Sequence, residues 1–167
     1  MRLLRRWSGL GLALVLLCSL LGACDGRQHP EEQHVVPYAP VHLILNLYGA
    51  EHHLVEPFSL IAITAPRIAD EYVGCAGVVV VHGFAASGGE LPYFAYDLIC
   101  PYDLPSVVAT VPREGKGDEL LTTKCPKCGS VYDLAMGTGH PTSGPSRYPL
   151  QRYRVGSQGE QYIVITH

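Results

Sequence analysis

Helical patterning is what this sequence has least of. Between residues 41 and 166 apolar side chains do not keep the i, i+3, i+4, i+7 spacing of an amphipathic helix, and short β-branched and aromatic runs recur instead between Gly, Pro and Asn. Internal repeats and low-complexity tracts are missing too. A phosphate-binding loop is absent, since Gly137-Thr138-Gly139 is too short to serve as one. The glycine-rich stretch 83–89 contains Ser87 but lacks the Gly-x-Ser-x-Gly turn of a nucleophile elbow, which argues against a serine hydrolase. His82, His140 and His167 have no ligand spacing to one another. Basic residues number 12 against 15 acidic ones, so nucleic acid is not an expected partner.

What is present begins with a targeting segment. Arg2, Arg5 and Arg6 precede a short apolar run at 10–21, too short for a comfortable membrane span. Leu21-Gly22-Ala23-Cys24 resembles the lipobox of bacterial lipoproteins, which implies cleavage before Cys24 and diacylglycerol on its thiol. On that reading 1–23 is a signal peptide. Removing 23 of 167 residues leaves 144, enough for one domain with its own core. Losing those three arginines leaves 9 basic residues against 15 acidic, a formal net charge of −6. Residues 24–40 are polar and proline-bearing and read as a lipidated tether. The expected location is the bacterial cell envelope, anchored to a membrane through Cys24, with the domain in the periplasm or at the cell surface.

Residues 41–167 read as one all-β domain. Val41, Leu43, Leu45 and Leu47 alternate with His42, Ile44, Asn46 and Tyr48, as in a half-buried strand. Further strands are expected at 60–64, 120–123, 131–134, 152–155 and 161–165. The strongest hairpin joins Val78-Val79-Val80-Val81 to Tyr93-Phe94-Ala95-Tyr96 through the small and glycine residues of 85–90. A symmetric reversal makes the numbers of facing residues sum to 175, which would set Cys75 opposite Cys100. Opposed residues lie within plausible reach of a disulfide or a shared metal.

Four words of the sequence carry a family resemblance: Cys100-Pro101-Tyr102, Cys125-Pro126-Lys127-Cys128, Gly144-Pro145 and Pro149-Leu150. Their order and flanks resemble a Rieske domain of the kind found in small bacterial lipoproteins. The resemblance implies antiparallel sheets or a sandwich, with a small cluster-binding subdomain formed by two loops. The family's motifs are Cys-x-His and Cys-x-x-His, holding a 2Fe-2S cluster through two thiolates and two imidazoles. Here Cys100 and Cys125 match the thiolates, while Tyr102 and Cys128 stand where the histidines belong. The metal ligands implied are therefore Cys100, Cys125 and Cys128, with Tyr102 or Cys75 as fourth.

The cysteines leave three outcomes open. Without Cys18 and Cys24 there remain Cys75, Cys100, Cys125 and Cys128. All four could hold a low-potential 2Fe-2S cluster or a tetrahedral zinc, and Cys-Pro-Lys-Cys-Gly resembles a zinc knuckle. They could instead form two disulfides, Cys75 with Cys100 and Cys125 with Cys128, in a domain with no metal, as export to an oxidising compartment favours. Or Cys100, Cys125 and Cys128 keep a cluster completed by Tyr102 or an outside atom. A thioredoxin-like role for Cys125-x-x-Cys128 would need a helix start, and its flanks are strand-like. The expected function is electron transfer to a protein redox partner, without turnover of its own. The alternative is a structural or binding lipoprotein on the same scaffold, whose exposed Tyr102 and Tyr148 would meet another envelope protein.

Overall fold

The computed structural model describes residues 36–84, 92–104 and 121–167. The expected signal segment, the expected lipidation site Cys24 and residues 25–35 of the expected tether lie outside the described residues. Among the described residues, no helix is long and apolar enough to cross a membrane. The domain is all-β, with every strand pair antiparallel.

Seven strands make the larger sheet: β1 (Val41–Asn46), β2 (Leu60–Ile63), β3 (Tyr72–Val73), β4 (Val78–His82), β5 (Tyr93–Asp97), β9 (Arg152–Gln158) and β10 (Tyr162–Thr166). Their order is β2-β4-β5-β9-β10-β1-β3. Between β5 and β9 the chain leaves to build a second, three-stranded sheet from β6 (Thr122–Lys124), β7 (Val131–Asp133) and β8 (Pro141–Ser143). This insertion is the small subdomain.

The hairpin β4–β5 decides where everything else goes. It pairs Val78 with Asp97 and Val80 with Ala95, the register expected from a symmetric loop. All four valines, Val78 to Val81, are fully buried. Side chains of a strand alternate between faces, so a run buried throughout must be covered on both. Val78, Val80, Tyr93 and Ala95 pack into one core with Leu43, Leu45, Ile163 and Ile165. Val79, Val81, Phe94 and Tyr96 pack into another with Cys100, Cys125, Tyr132, Leu134 and Leu150. One wall thus serves two cores, and the second core carries the thiols.

The β1 alternation is realised as expected, with Val41, Leu43 and Leu45 buried and Ile44 exposed. Beside it, Arg67 joins Glu51 and Glu71, whose carboxylates are nearly buried, and its Nη2 donates to the Ile44 carbonyl at 3.2 Å. Glu51 also accepts the Asn46 N–H at 2.8 Å, and Glu71 the Arg67 N–H at 2.7 Å. Buried carboxylates persist where charge and hydrogen bonds satisfy them, and both are satisfied here. Upstream, residues 36–40 run beside the domain. The Pro40 carbonyl accepts the Gly74 N–H at 3.1 Å, and the Tyr38 ring stands 4.4 Å from that of His167.

Candidate metal centre

Two loops supply the thiols. The first leaves β5 and turns at once, where the Asp103 N–H donates to the Cys100 carbonyl at 3.2 Å. Within that turn the Tyr102 N–H donates to the Cys100 sulfur. The second joins β6 to β7, and closes by the Cys125 N–H to Ser130 carbonyl bond at 2.9 Å and the Gly129 N–H to Cys125 carbonyl bond at 3.0 Å. The Sγ atoms of Cys100, Cys125 and Cys128 come within 4.8 Å of one another. Cys100 and Cys125 are buried, and Cys128 is half-buried toward solvent. All four described cysteines are free thiols.

Cys75 stands apart from that group. The β4–β5 ladder runs on only to Gly77, whose carbonyl accepts the Leu98 N–H at 2.9 Å. Below it the chain turns through Gly74 and Gly77, both at positive φ, and leaves the ladder direction. Cys75 therefore does not continue the register toward Cys100. Its thiol is exposed and donates to the Pro37 carbonyl at 3.1 Å. Burial of the sulfur and the nearby Asp97 charge raise its pKa. Tyr102 is 40% exposed at the tip of the first loop, and Tyr148 is 37% exposed in the segment after β8.

Three residues not foreseen as part of the site hold the sulfurs. Tyr132 on β7 is fully buried, and its hydroxyl lies 3.2 Å from Cys100 Sγ. Ser130 Oγ lies 3.2 Å from Cys128 Sγ and accepts the Ser146 N–H at 3.0 Å. The Cys128 thiol donates to that oxygen, which can accept both bonds. Ser146 in turn hydrogen-bonds the Tyr132 hydroxyl. The sequence carried a signal for part of this: Ser130 and Tyr132 sit at alternate positions as the chain enters β7, and alternate residues of an extended chain share a face. The Gly144-Pro145 word lies against the same loop. A Cβ on Gly144 would come within 2.4 Å of Ser130 Cα, so only glycine allows this approach.

These contacts divide the protons. Burial pushes the Cys100 thiol up to about 11, although hydrogen bonds from Tyr132 and the Tyr102 N–H pull the other way. Burial also opposes ionisation at Cys128, but hydrogen bonding with the Ser130 side chain and N–H, with contacts to Cys125 and Cys100, outweighs it and lowers the pKa. Cys128 is thus the first of this pair to become a thiolate. Tyr132 is held protonated by burial and by its bond to Cys100, so it remains a donor. Lys127 and Asp103 pair at 2.8 Å across the loop tips; at an exposed site such a pair adds little to stability.

The donor set suits a thiophilic metal. Three thiols converge, two of them buried, with the Tyr132 hydroxyl and the Tyr102 and Ser130 N–H groups placed to stabilise their ionised forms. Among the described residues this is the group of His, Cys, Asp or Glu side chains arranged to hold a metal ion.

The architecture defines a class: a β-domain in which the loop leaving β5 of the large sheet and the β6–β7 loop of an inserted three-stranded sheet present a group of thiols. No family model matches the sequence, and no curated protein matches it. Two solved structures are similar in fold. One is the ferredoxin of carbazole 1,9a-dioxygenase from Nocardioides aromaticivorans IC177, 23% identical, with 77% of this chain and 97% of that chain covered and a TM-score of 0.44. The other is a chain of the complex of reduced oxygenase and oxidized ferredoxin in carbazole 1,9a-dioxygenase, 19% identical, with 75% and 93% covered and a TM-score of 0.45.

Proposed function

We propose that this chain is a bacterial envelope lipoprotein, anchored through Cys24, whose domain transfers single electrons through an iron-sulfur centre on Cys100, Cys125 and Cys128. The observation that carries this reading is the convergence of three thiols from two loops, with the Tyr132 hydroxyl against one sulfur and the Ser130 N–H against another. Hydrogen bonds to cluster sulfurs and burial are levers by which proteins set the potential of thiolate-bound iron. A 2Fe-2S cluster takes four protein ligands, and Tyr102 is the side chain proposed for the fourth place, failing which an outside atom fills it. When bound, the cluster supplies reversible storage of one electron. The chain's own residues do the rest. The Tyr132 hydroxyl and the Ser130 N–H donate to the sulfurs, Tyr96 and Leu134 exclude water behind them, and exposed Tyr102 and Tyr148 offer aromatic surface to a protein redox partner.

A second reading is favoured by one distance. Cys100 Sγ and Cys128 Sγ are 3.6 Å apart, close to the roughly 3.8 Å edge of a tetrahedron with metal–sulfur bonds of ~2.3 Å. A single zinc would then brace the two loops in a structural or binding lipoprotein. Anaerobic purification of the whole chain from membranes, with metal analysis, visible absorption and a thiol count, separates the two. About two irons per chain with charge-transfer bands support electron transfer, and one colourless zinc supports the second reading. A metal-free chain with its thiols oxidised refutes both.

A further inference from the structure

Asp97 closes β5, three residues before Cys100, and is fully buried. Its two oxygens face different tasks. Oδ1 accepts the Ile99 N–H at 2.8 Å, an i to i+2 bond that bends the chain out of the strand and into the first loop. Oδ2 accepts the Tyr153 hydroxyl of β9 at 2.6 Å and the Cys75 N–H at 2.7 Å, tying three parts of the large sheet together. A Cβ on Gly74 would stand 2.4 Å from both Asp97 Oδ2 and the Tyr153 hydroxyl, so the cradle around this carboxylate leaves no slack. Neither the ligand motifs nor the family resemblance points to this residue.

We infer that Asp97 is a positioning residue for the metal centre: through Oδ1 and the Ile99 N–H it fixes where Cys100 presents its sulfur, while Oδ2 only staples the sheet behind. The inference rests on the reading that Cys100 is a metal ligand. The two oxygens can be separated by substitution. Asp97→Ala loses both functions. Asp97→Ser keeps a short oxygen able to accept the Ile99 N–H in the same kind of turn, but cannot reach Tyr153. Tyr153→Phe removes one staple bond and leaves the loop bond alone.

The test is Zn²⁺ affinity of the whole reduced chain, by competition with a chromophoric chelator, beside the midpoint of chemical unfolding. Outer-shell contacts to metal ligands are typically worth about 10–100-fold in affinity. Asp97→Ala is expected to lose about tenfold or more, whereas Asp97→Ser and Tyr153→Phe stay within about threefold of wild type, although all three unfold more easily. Equal losses in Asp97→Ser and Asp97→Ala, or losses that follow stability across the set, overturn the inference. If Asp97→Ala does not fold, Asp97→Ser still decides, since tenfold weakening there contradicts the assigned role. A wild type that binds no metal removes the functional reading instead. Amide exchange of the metal-free chain then decides: faster exchange at Ile99 in Asp97→Ala but not in Tyr153→Phe supports the loop role, and equal exchange overturns it.

Discussion

Tyr132→Phe removes one oxygen and little else, because the ring stays in the second core while the 3.2 Å contact to Cys100 Sγ disappears. In the metal-free protein Cys100 is a neutral thiol, and a neutral hydrogen bond is worth about 0.5–1.5 kcal/mol net. Unfolding free energy should fall by that amount. Once Cys100 is a thiolate, on a metal or at high pH, the same bond is charge-assisted and worth about 1.5–3 kcal/mol. The difference, roughly 1.4 kcal/mol, corresponds to a tenfold change in an equilibrium constant. Zn²⁺ affinity should therefore drop about tenfold, and the Cys100 thiol, already raised to about 11, should become about tenfold less acidic. Chelator competition gives the first quantity. Alkylation rate against pH, read at the Cys100 peptide by mass spectrometry, gives the second. If an iron centre is present its potential should move down, since the lost donor stabilised the more negative reduced state. The reasoning is refuted if metal affinity stays within twofold while metal-free stability falls by more than about 2 kcal/mol, an outcome that would make Tyr132 a packing residue only.

Val80→Ala and Val79→Ala delete equal volume from opposite faces of β4, each costing about 2–3 kcal/mol from lost burial and a residual cavity. Only Val79→Ala should also weaken Zn²⁺ binding, and equal effects on binding would contradict the two-core description. Arg67→Met leaves Glu51 and Glu71 without their cation; denaturant melts should show a loss of about 2–4 kcal/mol, below the ~3–5 of a wholly buried pair because Arg67 is a third exposed. The same pair sets an acid limit. Hydrogen bonding by Arg67, against burial, lowers the Glu71 pKa, so the folded state holds fewer protons than the unfolded one below the ordinary value of 4.5. Its contribution is complete above that value and is lost as pH falls through the lowered one, and the acid limb of a stability–pH curve should flatten in Arg67→Met. Adding a strong chelator to the metal-loaded chain should lower Tm by an amount that grows with the logarithm of metal excess beforehand, and a Tm indifferent to metal excess would refute binding to the folded state.

Much of the fold was legible because its signals are local. Alternation in 41–47 gave β1 its buried face, and the glycine-rich loop fixed the β4–β5 register. The valine run reads as one arm of a hairpin, and its burial on both faces emerges only from the two cores packed against it. The short strands β3 and β8 escaped notice because two or three residues carry no period. The site was legible in part. Cys100, Cys125 and Cys128 were named from their motif words, and Ser130 and Tyr132 were missed because the turn at Gly129, not a strand spacing, brings them to Cys128. Cys75 was placed by extending a register past two glycines, and positive φ at Gly74 and Gly77 turns the chain before it arrives. The Arg67 cage was missed because Glu51 lies 16 residues away, a separation that only tertiary structure relates, and the i,i+4 spacing of Glu71 falls outside any helical pattern that would have made it a signal.

The wall of four valines contributes no thiol and no donor to the centre, yet both cores lean on it. The chemistry is split: Cys100, Cys125 and Tyr132 pack into the second core, while Tyr102 and Cys128 stand on the loops toward solvent. On the proposed reading of the site, a substitution at Tyr102 or Cys128 changes the ligand set without removing a methyl group from either core. Those two positions are where the domain could change its metal or its potential while its fold is held elsewhere.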